Sequence, residues 1–203
     1  MKYLVGARGS KLSMAQTNWV ISELKKVNSD CEYEIKPITT KGDTDTRPLF
    51  TIEQKGIFEK EIDKAVAAKE IDFAVHSLKD VPSELADNLI IASIPKREKV
   101  NDVFISSDDS SLDKIKPGSV IGTSSLRRAV QISRQRSDVT VKPIRGNIET
   151  RINKTSGENY DAIVLAQAGI SRLGVDVNFT PLSVDDFSPS PGQGAIAIVA
   201  RTV

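Results

Sequence analysis

The chain has 203 residues, 39% of them hydrophobic and 27% charged, the balance of an ordinary soluble globular protein. Lysine and arginine number 28 against 27 aspartates and glutamates, so the net charge of +1 supplies no bulk field toward nucleic acid or anionic lipid. One cysteine excludes an intrachain disulfide, and one Cys with one His cannot form a Cys/His zinc site.

A carboxylate-bound magnesium stays compatible with the composition, but no residue is assigned to a metal. The longest apolar run, Ala195 to Ala200, is too short to cross a bilayer, and the N-terminal apolar run stops at Arg8. Neither a membrane span nor a signal-peptide core is expected, and a cytoplasmic location is the simplest reading.

Tyr3 to Val5 predicts a short buried strand ending at Gly6. A helix follows over Ser13–Val27, with Ala15, Trp19, Val20, Leu24 and Val27 at helical spacing. Tyr33, Ile35 and Pro37 alternate as a second strand, the proline placing its end near an edge. This strand–helix–strand unit predicts a parallel pair with a right-handed crossover. Thr39 to Lys55 has little periodicity, and a loop of that length reads as a lid, a binding loop or disorder. A helix is predicted from about Ile57 to Lys69, with Phe58, Ile62, Ala65 and Val66 on one face. Phe73–Val75 and Leu89–Ile94 read as buried strands.

Pro95 to Lys99 is a polar break, taken as the first crossing between domains. The alternation then restarts: strands Val103–Ser106 and Val120–Ile121, helix Leu126–Arg136, strand Val139–Ile144 and helix Ile148–Lys154. Strand Ala162–Leu165 and helix Ala168–Leu173 complete the set. Pro189, Pro191, Gly192 and Gly194 mark a second crossing before the apolar strand Ala195–Ala200, which needs a sheet covered on both faces. The expected architecture is α/β: two doubly wound domains, 1–95 with 195–203 and 100–188, joined by a double-crossing hinge, with ligands expected in the cleft.

Four cationic clusters follow predicted strands, where open α/β sheets bind ligands. They are Arg8 with Ser10; Lys79 beside Asp80; Thr123-Ser124-Ser125-Leu126-Arg127-Arg128; and Arg145-Gly146-Asn147 with Arg151. Guanidinium forks bond both oxygens of a carboxylate, so these clusters imply a ligand with several carboxylates or phosphates. Arg134 and Arg136 suit the C-terminal dipole of their helix as a solvated face, whereas Arg127 and Arg128 sit at the opposite end and point to function. Asp80 reads equally as a turn residue before Val81-Pro82 or as an acid facing a developing cation. His76, the single histidine, reads as a packed structural residue, and Cys31 as an incidental thiol.

These segments, together with Ala7-Arg8-Gly9-Ser10, Thr40-Lys41-Gly42-Asp43, Lys55-Gly56-Ile57-Phe58, Val75-His76-Ser77-Leu78-Lys79-Asp80 and Gly192-Gln193-Gly194, make the chain similar to the hydroxymethylbilane synthase (porphobilinogen deaminase) family. The motifs occur in family order along the whole chain. The resemblance implies a type II periplasmic-binding-protein-like fold and a transferase of tetrapyrrole (haem) biosynthesis, which condenses four porphobilinogen units into hydroxymethylbilane with release of ammonia. It implies Asp80 as the catalytic carboxylate. Substrate and growing-chain carboxylates would be held by Arg8, Ser10, Lys79, Thr123, Ser124, Ser125, Arg127, Arg128, Arg145, Arg151 and Arg172. Lys55, Asn147 and Gln193 join this set through their motifs, 40–55 becomes an active-site loop, and Phe58 an aromatic near the pyrroles.

A dipyrromethane cofactor is also implied, normally bonded to a cysteine of a third, C-terminal domain. That domain and its attachment cysteine are expected to be absent here, which leaves three alternatives: a two-domain form that holds its primer without a bond, a separate chain that supplies the third domain, or a chain that lacks synthase activity. The alternative function is a non-catalytic module that binds a pyrrole or polycarboxylate. No nucleic-acid partner is expected, since aromatic residues are few and there is no basic excess.

Overall fold

The structure is a computed structural model that describes residues 1–44, 57–157 and 159–202. These residues form two compact units: the first holds 1–44, 57–98 and 192–202, the second 99–157 and 159–191. The backbone therefore passes between units after Glu98 and again after Pro191.

The first unit is built on β1 (Lys2–Ala7), β2 (Glu32–Pro37), β3 (Phe73–Ser77), β4 (Leu89–Ser93) and the last strand of the chain, Ile196–Arg201. The order is β2-β1-β3-last strand-β4. β1 runs parallel to β2 and β3, and Pro37 lies on the edge strand, paired with Ala7. The C-terminal strand enters antiparallel between β3 and β4, where both its neighbours satisfy its backbone. Its alternation explains its apolar sequence. Ile196 joins Val5, Val75 and α1 (Lys11–Val27) on one face of the sheet. Val199 joins Ala74, Ile71 and α3 (Lys60–Ala67) on the other. Helices on both faces make the strand residues core residues whichever way they point.

Three expectations change here. The segment expected as an irregular loop begins with a helical turn, α2 (Lys41–Thr44), and its remainder, 45–55, lies outside the described residues. The turn forms because the Asp43 carboxylate accepts from the Thr40 N–H and hydroxyl at 3.0 and 2.8 Å. The helix expected from Ile57 starts at Lys60, so Phe58 sits in a turn ahead of it and only Ile62, Ala65 and Val66 pack as helical core. β4 is an edge strand: Leu89 is buried, but Ile90 and Ile91 are exposed.

The second unit repeats the layering with β5 (Asp102–Ser106), β6 (Val120–Gly122), β7 (Thr140–Lys142), β8 (Ala162–Ala166) and β9 (Thr180–Pro181), in the order β7-β6-β8-β5-β9. β6 is parallel to β7 and β8, while β5 is antiparallel to β8 and β9. α4 (Leu126–Gln135) covers one face through Ile132, beside Phe104 and Ile121. α5 (Ile148–Asn153) and α6 (Gln167–Leu173) cover the other, with Ile170 against Val103, Ile105 and Ile163. The C-terminal strand, following β9, is β10.

The core of this unit contains one sealed charge group. Asp102 opens β5 with no solvent exposure and takes Arg128 Nε and Nη2 on Oδ1 at 3.0 and 2.6 Å. Arg127 Nη2 approaches Oδ2 at 2.7 Å, and Arg128 Nη1 donates to the Val164 carbonyl at 3.1 Å. Two cations at a helix N-terminus oppose the dipole, and this buried anion is the reason they are there. Asp102→Ala should cost about 3–5 kcal/mol in urea unfolding, because two guanidiniums lose their counter-charge. Asp138→Ala, at an exposed pair with Arg136, should change the midpoint little; equal effects would contradict the assignment.

Candidate functional site

In the first unit, β1 ends at Ala7 and α1 begins after Ser10, whose hydroxyl caps the helix by accepting from the Ser13 N–H at 3.3 Å. The Ser13 hydroxyl in turn accepts from the Arg8 N–H at 3.0 Å, fixing the loop between them. The Arg8 side chain forms an ion pair with Asp43 and lies 4.2 Å above the Phe58 ring. Gly42 allows this arrangement: a Cβ there would fall 2.2 Å from the Phe58 ring. Burial pushes the Asp43 carboxyl up, but the bonds from Arg8 and Thr40 outweigh it and hold the group below its ordinary value.

At the end of β3 the chain turns through a single 3-10 turn, Leu78–Asp80, which leaves Lys79 and Asp80 exposed. The turn is seated on Gly192, whose φ is +71°. A Cβ at that position would lie 3.1 Å from the Lys79 nitrogen and 3.2 Å from the Leu78 carbonyl carbon. The Leu78 N–H donates to the Ala195 carbonyl at 3.0 Å. Gln193, between the two, is buried, and its carbonyl accepts from Arg97 Nε at 2.9 Å. The Gly192-Gln193-Gly194 segment thus acts on the site by supporting the Asp80 turn.

An open pocket with a cavity volume of about 60 Å³ is lined by Arg8, Ser10, Gln16, Phe58, Glu59, His76, Ser77 and Asp80, among others. His76 is buried and packed, with Nε2 3.0 Å from Asp63 Oδ1. Glu59 is the residue that sequence reasoning missed. It is 3% exposed, and Oε2 accepts from the Phe58 N–H at 3.2 Å. Burial raises its carboxyl from 4.5 to about 7; Asp80 and Asp63 add to the rise, against His76 and the Phe58 N–H. The available signal was its spacing, three residues before Ile62 and seven before Val66, on the buried face of α3.

In the second unit, Thr123, Ser124 and Ser125 connect β6 to α4. Ser125 caps the helix and accepts from the Arg128 N–H, while the Thr123 hydroxyl accepts from the Ser125 N–H at 3.2 Å. The Ser124 hydroxyl donates to the Ile144 carbonyl and accepts from the Ile144 N–H at 3.1 Å, so it ties this loop to the segment after β7. Arg145 follows Ile144. Asn147 caps α5 by accepting from the Thr150 N–H at 2.8 Å, and Arg151 Nε donates to the Gly146 carbonyl at 2.7 Å. Burial, then the positive charges of Arg128 and Arg145, lower the Arg151 guanidinium to about 10.

Several of the expected ligand-binding groups also have internal partners. Arg128 pairs with Asp102, Ser124 bonds Ile144, Asn147 caps α5, and Arg8, which lines the pocket, pairs with Asp43. Arg172 lies in the last turn of α6, six residues beyond the end of β8. Lys55 lies outside the described residues. Arg136, expected to be a solvated cation, donates to the Leu112 and Ile115 carbonyls at 2.7 Å and pairs with Asp138. Among the described residues no cluster of His, Cys, Asp and Glu is arranged to hold a metal, and no helix is long and apolar enough to cross a membrane.

The fold is shared with ligand-binding domains. The BenM effector binding domain with benzoate superposes with a TM-score of 0.57 at 13% identity, covering 100% of this chain and 84% of that one. A molybdenum ABC-transporter substrate-binding domain from Clostridium difficile gives 0.57 at 13% identity, with 99% and 85% covered. At such identities the likeness is one of architecture: two mixed α/β units of the periplasmic-binding-protein-like class. Residues 3–203 match the family described as porphobilinogen deaminase, dipyromethane cofactor binding domain, and the chain belongs to that family.

Relatives bearing the name porphobilinogen deaminase include one from Nitrosopumilus maritimus, 83% identical over 201 residues, and one from Listeria innocua, 50% identical over 206. The matches cover 99% and 98% of this chain but 65% and 66% of those relatives, so the chain spans just under two thirds of their length.

The raised Glu59 value has a sign. The folded chain binds this proton more tightly than the unfolded chain, so the group favours folding below about pH 4.5 and that contribution is lost as pH rises through about 7. Allowing for water in the pocket mouth, the loss is about 1–2 kcal/mol. Glu59→Gln should flatten the fall in urea stability between pH 5 and pH 8 and be the more stable protein at pH 8. An unchanged pH dependence would contradict the buried acid.

Proposed function

We propose that the chain provides the pyrrole-binding and catalytic units of a porphobilinogen deaminase, a transferase that condenses four porphobilinogen molecules into hydroxymethylbilane and releases ammonia. The observation that carries the reading is the placement of Asp80, exposed, on a short turn packed against Gly192 and lining a pocket, with no ion-pair partner among the described residues. An exposed carboxylate there is suited to accept pyrrole N–H bonds and to stabilise the cation that develops as the aminomethyl group loses ammonia.

Porphobilinogen carries an acetate and a propionate. Arg145 and Arg151, with the Ser125 and Thr123 end of α4, are suited to such carboxylates, and Lys79 lies next to Asp80 on its turn. The same donor set fits dipyrromethane, whose side chains are also carboxylates; when bound, that group supplies the pyrrole carbon from which the chain grows. Arg145 and Arg151 would hold its carboxylates by charge. Cys31, in the turn between α1 and β2, does not line the pocket, so the reading assigns covalent attachment to a thiol from outside these 203 residues. A cytoplasmic, reducing setting agrees with the single thiol.

Asp80→Ala should abolish porphobilinogen consumption and ammonia release in the cofactor-loaded protein, with the urea midpoint unchanged because the side chain is exposed. Full turnover by that variant would overturn the assignment.

A further inference from the structure

The proposed chemistry uses Asp80 and leaves unexplained the second acid of the same pocket. Glu59 reaches it from the start of α3, buried, while Asp80 reaches it from the turn after β3, exposed. The charged and titratable groups around Glu59 come from five places: Arg8 after β1, Asp43 on α2, Asp63 on α3, His76 on β3, and Asp80. Arg8 is already neutralised by Asp43, and His76 is already bonded to Asp63. Among the described residues, Glu59 meets one backbone N–H and no cation within ion-pair distance. Two carboxylates in one pocket, one of them sealed from water and without a counter-charge, do not both ionise cheaply, and the proton goes to the sealed one.

We propose that Glu59 is a positioning acid for Asp80, holding a proton that is coupled to the charge of Asp80 and so setting the pH range over which Asp80 is the pocket's single anion. The consequence for binding rests on the pyrrole-carboxylate reading above. A ligand bearing two carboxylates enters against one negative charge when Glu59 is neutral and against two when it is ionised. At a separation of several ångströms in a partly wet pocket, the added repulsion weakens affinity about tenfold. Position 59 acts through the field at Asp80, so its removal moves a pH profile rather than abolishing the reaction.

Two readouts test this on the 203-residue chain. In infrared difference titration, the protonated-carboxyl band present in the parent protein and missing from Glu59→Gln should disappear with a midpoint near pH 7. In Asp80→Asn the same band should titrate at lower pH, because one like charge has gone. In calorimetry, porphobilinogen should bind the parent protein about tenfold more weakly at pH 8 than at pH 6, while Glu59→Gln shows no such fall. A band absent at pH 6, a midpoint unmoved by Asp80→Asn, or the same affinity fall in Glu59→Gln would each overturn the inference. Failure of porphobilinogen to bind at either pH would instead overturn the pyrrole reading, and the midpoint shift in Asp80→Asn would still carry the proton coupling.

Discussion

Asp102, sealed at the start of β5 and held by the guanidiniums of Arg127 and Arg128, fixes the beginning of α4 against the second sheet. Burying a carboxylate costs several kcal/mol unless it is paired, and here two adjacent arginines supply the counter-charge, Arg128 being held in place by its own bond to the Val164 carbonyl. Arg128 is consumed by this requirement, and Arg127 is shared with the Ser188 carbonyl. The first unit shows a smaller version, in which Asp43 takes Arg8 and presses it over Phe58. Arg151 differs from these: burial, then the charges of Arg128 and Arg145, lower its guanidinium to about 10.

Much of this order was legible in the residues. The alternation of strand and helix located nearly every element because each buries a regular apolar face, and Ala195–Ala200 was apolar enough to require the interior position it holds between β3 and β4. The misplacements have local causes. β4 looks buried because Ile90 and Ile91 are apolar, and nothing in a linear pattern says which strand lies at an edge. The α2 turn depends on two bonds from Thr40 to Asp43, a side-chain device with no periodic signature.

The site was legible in outline and not in its internal pairing. Strand ends followed by Arg, Ser and Gly located the loops that carry these side chains, but a basic cluster does not disclose which member meets a buried acid. Asp102 lies 26 residues from Arg128, and Asp43 lies 35 from Arg8. Glu59 was hidden for the opposite reason: at the start of an amphipathic helix an acid suits the dipole, so its type gave no reason to suspect burial. The sequence also gave no indication that Gly192 supports the Asp80 turn from a segment more than a hundred residues away.

The claim most open to test is the proposal that Arg151 is among the residues that hold ligand carboxylates. The most direct measurement is calorimetric titration of porphobilinogen into Arg151→Met at two salt concentrations, with Arg134→Met as control. The account predicts that Arg151→Met weakens binding at least tenfold and lowers its salt dependence, while Arg134→Met, exposed on α4, binds as the parent does. Parent-like affinity in Arg151→Met, or an equal loss in Arg134→Met, would contradict it.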